Sequence, residues 1–238
     1  MKIALIADLH GNMIAVRALE EDLKRRKPDA VWCLGDLVGK GPSSLETYEW
    51  AMARCEVVLG GNWDLGIGKR LYPRDAYYFR QLGPKRLQAL ANLPLEHHVT
   101  VSGRKIKLIH GRPLMHKLTY IQDSKDTLLT FLEPDFNLLI YADCHRQGLR
   151  TLTGQIINIG SVGNSMGVPM VQYVILEGEP GYAPAALDTT FITLPYDNRA
   201  AAREAEKQPM LPGRDAYISE VLTGVYAGDI RKRTDTTL

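Results

Sequence analysis

Cysteine is scarce in this chain. Cys33, Cys55 and Cys144 are the three in 238 residues. Their number is odd and they share no CxxC or zinc-finger spacing, which argues against a disulfide framework or a thiolate metal site. A reduced, cytoplasmic setting is expected instead. An excess of charge of one sign is also missing: 29 Lys and Arg stand against 27 Asp and Glu, a net +2. That balance gives no case for nucleic acid or an anionic membrane as the main partner. Long hydrophobic runs are lacking as well. The N-terminal apolar stretch stops at Asp8, too short for a signal peptide or a spanning helix. The P-loop pattern GxxxxGK[ST] does not occur, so Lys40 belongs to no Walker loop. Serine-hydrolase chemistry is not expected, and no internal repeat is evident.

What is present is enough apolar material for one sizeable core: 45% of the residues are hydrophobic, and the length suits a single α/β domain over 1–238. Residues 2–7 and 30–34 are short apolar runs of the kind found in strands buried on both faces. Between them, residues 13–26 carry Ile14, Ala18, Leu19 and Leu23 at helical spacing, with Asn12 as N-cap. A helix is expected at 44–54 and a third strand at 56–59. Strands alternating with helices imply a parallel sheet. Helix is expected again at 74–93, broken at Gly83-Pro84, and at 124–132. Strands are expected at 97–101, 105–109, 136–141, 149–152, 155–159 and 170–176, with hairpin turns at Ser102-Gly103 and Thr153-Gly154. This second run of strands suggests a second sheet stacked on the first, giving a four-layer α/β/β/α sandwich of two mixed sheets. From about residue 180 a Pro-, Gly- and Ala-rich tail leads to a helical extension, 197–206 and 214–225. Its apolar stripe (Tyr217, Ile218, Val221, Leu222, Val225, Tyr226) is expected to pack back on the sandwich, a homodimer contact being the other possibility. Residues from Arg231 are expected to fray.

Metal-ligand residue types recur where apolar strands end: Asp8-Leu9-His10, Gly35-Asp36, Gly61-Asn62, His110-Gly111 and Asp143-Cys144-His145. In an open α/β fold such ends share one crevice. Each piece alone is weak, since Gly-Asp is commonly a turn and a lone His a turn residue. The ordered set, each member directly after an apolar run, carries the signal.

The set resembles the calcineurin-like metallophosphoesterases. It matches their DxH, GDxxxxGP, GN, HG and NxGSxG motifs at Asp8-Leu9-His10, at 35–42 (GDLVGKGP), at Gly61-Asn62-Trp63-Asp64, at His110-Gly111-Arg112-Pro113 and at 158–163 (NIGSVG). The likeness runs from residue 1 to about 176 and is nearest to small bacterial and archaeal phosphodiesterase-like members, some linked with dinucleoside polyphosphate hydrolysis. It implies two divalent metal ions, manganese first, with iron, zinc, nickel and magnesium as alternatives. Asp8, His10 and His145 would hold one metal, Asn62 and His110 the other, and Asp36 would bridge them. Water activated between the metals would attack a phosphoester or nucleotide substrate, with Asp36, Asn62 and His110 closest to the chemistry.

Two positions depart from the family pattern. Trp63 stands where the fullest form has a histidine acid. Indole donates a hydrogen bond but gives up no proton at working pH, and general acid catalysis is worth about 10²–10⁴ in rate. Its loss favours good leaving groups, hence phosphodiesters or phosphoanhydrides over simple phosphomonoesters, the alternative along with a catalytically weakened homologue. Trp63 would either pack on the third strand or stack on a nucleobase. Asp143 stands where the family has a histidine. It is expected to make the second site more oxygen-rich by ligating, unless its shorter side chain falls short. Arg112 is expected either to clamp phosphate or to form an ion pair, and Asn12 either to touch phosphate or to cap its helix. Cys144 is expected in the core. His97, His98 and His116 match no ligand position.

Overall fold

The computed structural model describes residues 1–227. Expectations about the last residues, from Arg231, fall outside that range. The chain runs β1 (Lys2–Ile6), α1 (Met13–Arg26), β2 (Ala30–Cys33), α2 (Ser44–Arg54), β3 (Val57–Val58), α3 (Asn62–Gly68), a 3-10 turn (Pro73–Asp75), α4 (Ala76–Ala91), β4 (Glu96–Val101), β5 (Arg104–Ile109), α5 (Lys125–Leu129), β6 (Leu138–Tyr141), β7 (Gly148–Thr151), β8 (Gln155–Asn158), β9 (Val171–Gly178), β10 (Leu187–Leu194), α6 (Asn198–Glu206) and α7 (Arg214–Thr223).

Two mixed five-stranded sheets form, ordered β10-β9-β1-β2-β3 and β4-β5-β6-β8-β7. Strands β1, β2 and β3 pair in parallel, as do β5, β6 and β8, while β9 and β10 add an antiparallel pair beside β1, and β4 and β7 are antiparallel edges of the second sheet. The strand period of two sorts side chains between faces. On β1, Ile3 and Leu5 enter the inter-sheet core with Leu108, Ile140, Ile157 and Val174, and Ala4 and Ile6 turn to the helices. There they meet Val16 and Leu19 of α1, Leu87 and Leu90 of α4, Ala205 of α6 and Val221 of α7. The far side of the second sheet is covered thinly, by α5 and the segment after β5, through Met115, Leu128 and Leu132. The architecture is therefore the expected α/β/β/α sandwich.

Two local expectations are corrected and one element was not expected. The 180–238 extension is not purely helical, because β10 pairs with β9 along its whole length. Its Thr, Phe and Ile residues suit a half-exposed edge strand. Helix α3 also escaped the sequence pattern, since Gly66 and Gly68 are poor helix formers. The predicted helix at 124–132 contracts to α5. As expected, α4 is kinked at Gly83, which has φ 68° and ψ 169°, and hairpins close at Ser102-Gly103 and Thr153-Gly154. The C-terminal stripe packs back in part: Tyr217 and Val221 are buried, whereas Leu222, Val225 and Tyr226 remain exposed. No helix among the described residues is long and apolar enough to cross a membrane.

Candidate metal centre

The C-terminal ends of β1, β2, β5 and β6, with the first residue of α3, bring Asp8, His10, Asp36, Asn62, His110 and His145 together. The backbone is bent to do so. Asp8 (φ 55°), His10 (45°), Asp36 (54°), Asp143 (65°) and His145 (59°) all sit in the left-handed region. A non-glycine residue there is uncommon and strained, and such residues gather at functional sites. The NxGSxG segment braces the first loop. Ser161 Oγ donates to the Asp8 carbonyl at 3.0 Å and Gly163 N at 2.8 Å.

Backbone carbonyls fix the three histidines. His10 Nδ1 bonds Val38 O (3.3 Å), His110 Nδ1 bonds Leu34 O (2.7 Å) and His145 Nδ1 bonds Asn164 O (2.5 Å). A carbonyl only accepts, so each Nδ1 carries hydrogen, and in a neutral ring each Nε2 presents a lone pair. Those of His10 and His145 face one another at 3.2 Å. Burial drives both rings well below the usual histidine range, and Lys40 adds to it. Neutral nitrogens that close have no proton to share, and a cation between them resolves the clash.

The carboxylates complete the cluster. Asp8 Oδ1 lies 3.5 Å from His145 Nε2, 3.8 Å from His10 Nε2 and 3.9 Å from His110 Nε2. Asp36 Oδ2 lies 3.5 Å from His10 Nε2 and 3.4 Å from His110 Nε2. Both oxygens of Asp8, Oδ1 of Asn62 and Nε2 of His110 are buried without a hydrogen-bond partner. Unpaired buried polar atoms are costly and call for an explanation. Burial pushes the Asp8 carboxyl well above the ordinary range, and Asp36 and Asp143 raise it further against the pull of His110. Burial lowers His110, but Asp36, Asp8 and Asp143 outweigh it and hold the ring well above its usual range. Two groups have metal-holding geometry: Asp8, His10 and His145, and Asp8, Asp36 and His110. The residues therefore fit cations at two adjoining positions.

Asp64 received no role from the sequence, although it lies beside the GN pair. It is wholly buried, and its carboxylate accepts from the backbone N–H of Asp36 (2.7 Å), Leu37 (2.9 Å) and Gly61 (3.0 Å). It pins the Asp36 loop to the start of α3. Burial pushes its carboxyl up to about 7, with Asp36 adding to the rise and the Gly61 and Asp36 N–H groups opposing it. Trp63 N donates to Asp36 Oδ1 at 2.9 Å. A Cβ at Gly61 would collide with the Asp36 carboxylate, so this approach requires glycine.

Two expectations need correction. Asn12 is spent on structure. Its Oδ1 caps α1 by accepting from Ala15 N (3.1 Å), its Nδ2 donates to Gly163 O (2.8 Å), and the residue is buried away from the crevice. Asp143 belongs to neither metal-holding group. Arg112 takes its carboxylate in a fork, Nη2 to Oδ1 at 2.8 Å and Nε to Oδ2 at 2.9 Å, with Arg112 N adding a bond at 3.0 Å. Burial acts upward on Asp143, but this pairing holds it below the usual carboxylate range. Its Oδ1 stands 3.9 Å from His110 Nε2.

The remaining residues sort as follows. Trp63 packs edge-on against His10 (5.7 Å between centroids) and Tyr78 (6.5 Å), and it lines the crevice. Cys144 is buried, its thiol pushed up to about 12 by burial. His97 packs on Trp32 and His98 on Phe136, away from the cluster. Residues 163–167 spell GxSxG, but the buried Ser165 Oγ donates to Ser161 O at 2.6 Å. No nucleophile elbow exists there, since Ser165 sits in a loop rather than a strand-to-helix turn.

The crevice has a volume of about 660 Å³, with Asp36, Asn62, Asp143 and His145 at its floor. The calcineurin-like phosphoesterase family model matches residues 1–164. The chain belongs to this family. A metallophosphoesterase of Sphaerobacter thermophilus superposes with a TM-score of 0.75 at 25% identity, over 94% of this chain and 99% of that one. An uncharacterized protein of Methanocaldococcus jannaschii is 30% identical over 123 residues, 47% of this chain and 49% of its own length. A symmetrical bis(5'-nucleosyl)-tetraphosphatase of Psychromonas ingrahamii is 40% identical over 68 residues, 26% of this chain and 24% of its own. The chain thus matches half or less of these two curated relatives. The family is one that depends on two metals.

Proposed function

We propose that the protein is a dimetal phosphodiesterase or nucleotide-polyphosphate hydrolase. Asp8, His10, Asp36 and His145 would hold one cation, and Asp36, Asn62 and His110 would hold the other. The observation that carries this is the set of buried polar atoms without a hydrogen-bond partner in one cluster: both Asp8 oxygens, Asn62 Oδ1 and His110 Nε2. Carboxylate, amide and imidazole donors suit manganese or a similar borderline cation. Bound there, two such cations supply Lewis acidity to water and to the phosphoryl oxygens.

The chain's own residues do the rest. The three Nδ1–H bonds to carbonyls fix each ring's tautomer and direction. Asp64 holds the Asp36 loop in place. Arg112, anchored through Nε and one Nη2 hydrogen, keeps three N–H groups for a substrate phosphate. Trp63 offers no proton to the leaving oxygen, which favours substrates that leave as stable anions. The resemblance to a tetraphosphatase points the same way. A cytoplasmic setting suits the three free cysteines.

The fork between Arg112 and Asp143 favours a second reading, a homologue with a weakened second site, because it withdraws one carboxylate from that metal. Turnover separates the two. The manganese-loaded protein is expected to hydrolyse bis-p-nitrophenyl phosphate or diadenosine tetraphosphate faster than p-nitrophenyl phosphate, with Asp36→Asn abolishing the activity. Absence of turnover with every divalent metal overturns the proposal in favour of the weakened homologue.

A further inference from the structure

The crevice is much larger than a phosphoryl group needs. Its volume of about 660 Å³ lies within the range of pockets that enclose whole small organic ligands. Its two ends differ in chemistry. The floor is the polar cluster. The rim exposes large apolar and aromatic side chains that a soluble protein normally covers: Leu71 is 56% exposed, Tyr72 49% and Tyr226 47%. Two arginines lie against aromatic faces there, Arg74 over the Tyr72 ring at 5.0 Å and Arg146 over the Tyr120 ring at 5.4 Å. Much of the far wall comes from beyond the matched family segment, which ends at residue 164. Pro212 and Gly213, just before α7, and Ala216 in its first turn line the crevice with small side chains, and Tyr226 follows the same helix.

From this we infer that the C-terminal extension and the 71–75 loop build a seat for a nucleoside, so that the site takes phosphoesters or anhydrides bearing a nucleobase rather than phosphate groups alone. The inference rests on the phosphoesterase proposal for the floor and adds the recognition of the other end of the substrate. An anionic floor ligand joined to a planar aromatic group is the chemistry of a nucleotide. Tyrosine faces stack on any base, and guanidinium groups beside them stack and donate to base edges. An acyl chain is a poor match for a rim carrying two arginines.

The test is titration calorimetry of the manganese-loaded protein with adenosine 5'-monophosphate and, separately, with inorganic phosphate. The nucleotide is expected to bind at least about tenfold more tightly. Tyr72→Ala and Tyr226→Ala are each expected to weaken nucleotide binding about 5- to 50-fold, the range for loss of one stacking partner, and to leave phosphate binding within about twofold. Both side chains are half exposed, so the variants fold. Equal affinity for the two ligands, binding of neither, or equal weakening of both by the variants overturns the inference. Hydrolysis of bis-p-nitrophenyl phosphate is measured in parallel. If that turnover is absent while the nucleotide preference and its loss in the variants persist, the phosphoesterase proposal fails and the nucleoside seat stands.

Discussion

Asp64→Asn is a severe test of how the centre is held. The wild-type carboxylate satisfies three buried backbone N–H groups, with Oδ2 serving Asp36 and Gly61 and Oδ1 serving Leu37. An asparagine oxygen in the Oδ2 position keeps two of them as weaker, uncharged bonds. Its amide nitrogen then faces the Leu37 N–H, donor against donor. One orphaned buried donor costs about 1–3 kcal/mol, and weakening two charge-assisted bonds costs about 1 kcal/mol each. The sum, about 3–5 kcal/mol, is a large part of a typical stability of about 5–15 kcal/mol. At about 2–4 °C per kcal/mol for a chain of this size, the melting temperature falls by about 6–20 °C. Manganese affinity falls with it, because the loop that presents Asp36 loosens. Differential scanning calorimetry and metal titration read the two effects, with Asp126→Asn, an exposed acid on α5, as control. A variant melting within about 2 °C of wild type with unchanged metal affinity refutes the role assigned to Asp64.

Two further outcomes follow from side chains around this centre. Arg112→Met leaves the buried Asp143 carboxylate unpaired; with the guanidinium 37% exposed, the cost is held to about 1–3 kcal/mol. KM for a diester is expected to rise about 10- to 100-fold with a smaller change in kcat, and an unchanged KM removes Arg112 from substrate binding. Asp22 ties α1 to β9 by accepting from Tyr173 Oη (2.5 Å) and from Arg25 and Arg26 (2.7 Å each). Burial acts upward on its carboxyl, but these bonds prevail and depress it. Its contribution is therefore complete above the ordinary carboxylate pKa and fades as pH falls through the depressed value. Asp22→Asn is expected to lose about 1–2 kcal/mol at pH 7, in urea unfolding, with the gap narrowing below about pH 4. A pH-independent gap contradicts the assignment.

The β1–α1–β2–α2 portion was legible because each strand is a short apolar run stopped by a polar residue, and each crossover helix has a clean 3.6-residue stripe. The same stops located Asp8, His10, Asp36, Asn62, His110 and His145. Strand β10 was hidden because it follows a Pro- and Gly-rich stretch and is half exposed, so its sequence, LDTTFITL, lacks a clean apolar–polar alternation. Helix α3 was hidden because its formation depends on Asp64 reaching back to Gly61, a tertiary arrangement that glycine-rich sequence obscures. The carbonyls that orient the histidines carry no side-chain signature at all. Arg112 and Asp143 are 31 positions apart, and only the parallel pairing of β5 with β6 brings the ends of those strands side by side. That register decides between phosphate clamp, ion pair and metal ligand, so sequence alone left all three open.

The most direct measurement is the metal content of the pure protein after manganese loading and desalting, by mass spectrometry, for wild type and His145→Ala. Two equivalents per chain in wild type and a loss of at least one in the variant are expected. Less than half an equivalent in wild type with manganese, iron, zinc, nickel and magnesium alike contradicts the two-metal centre.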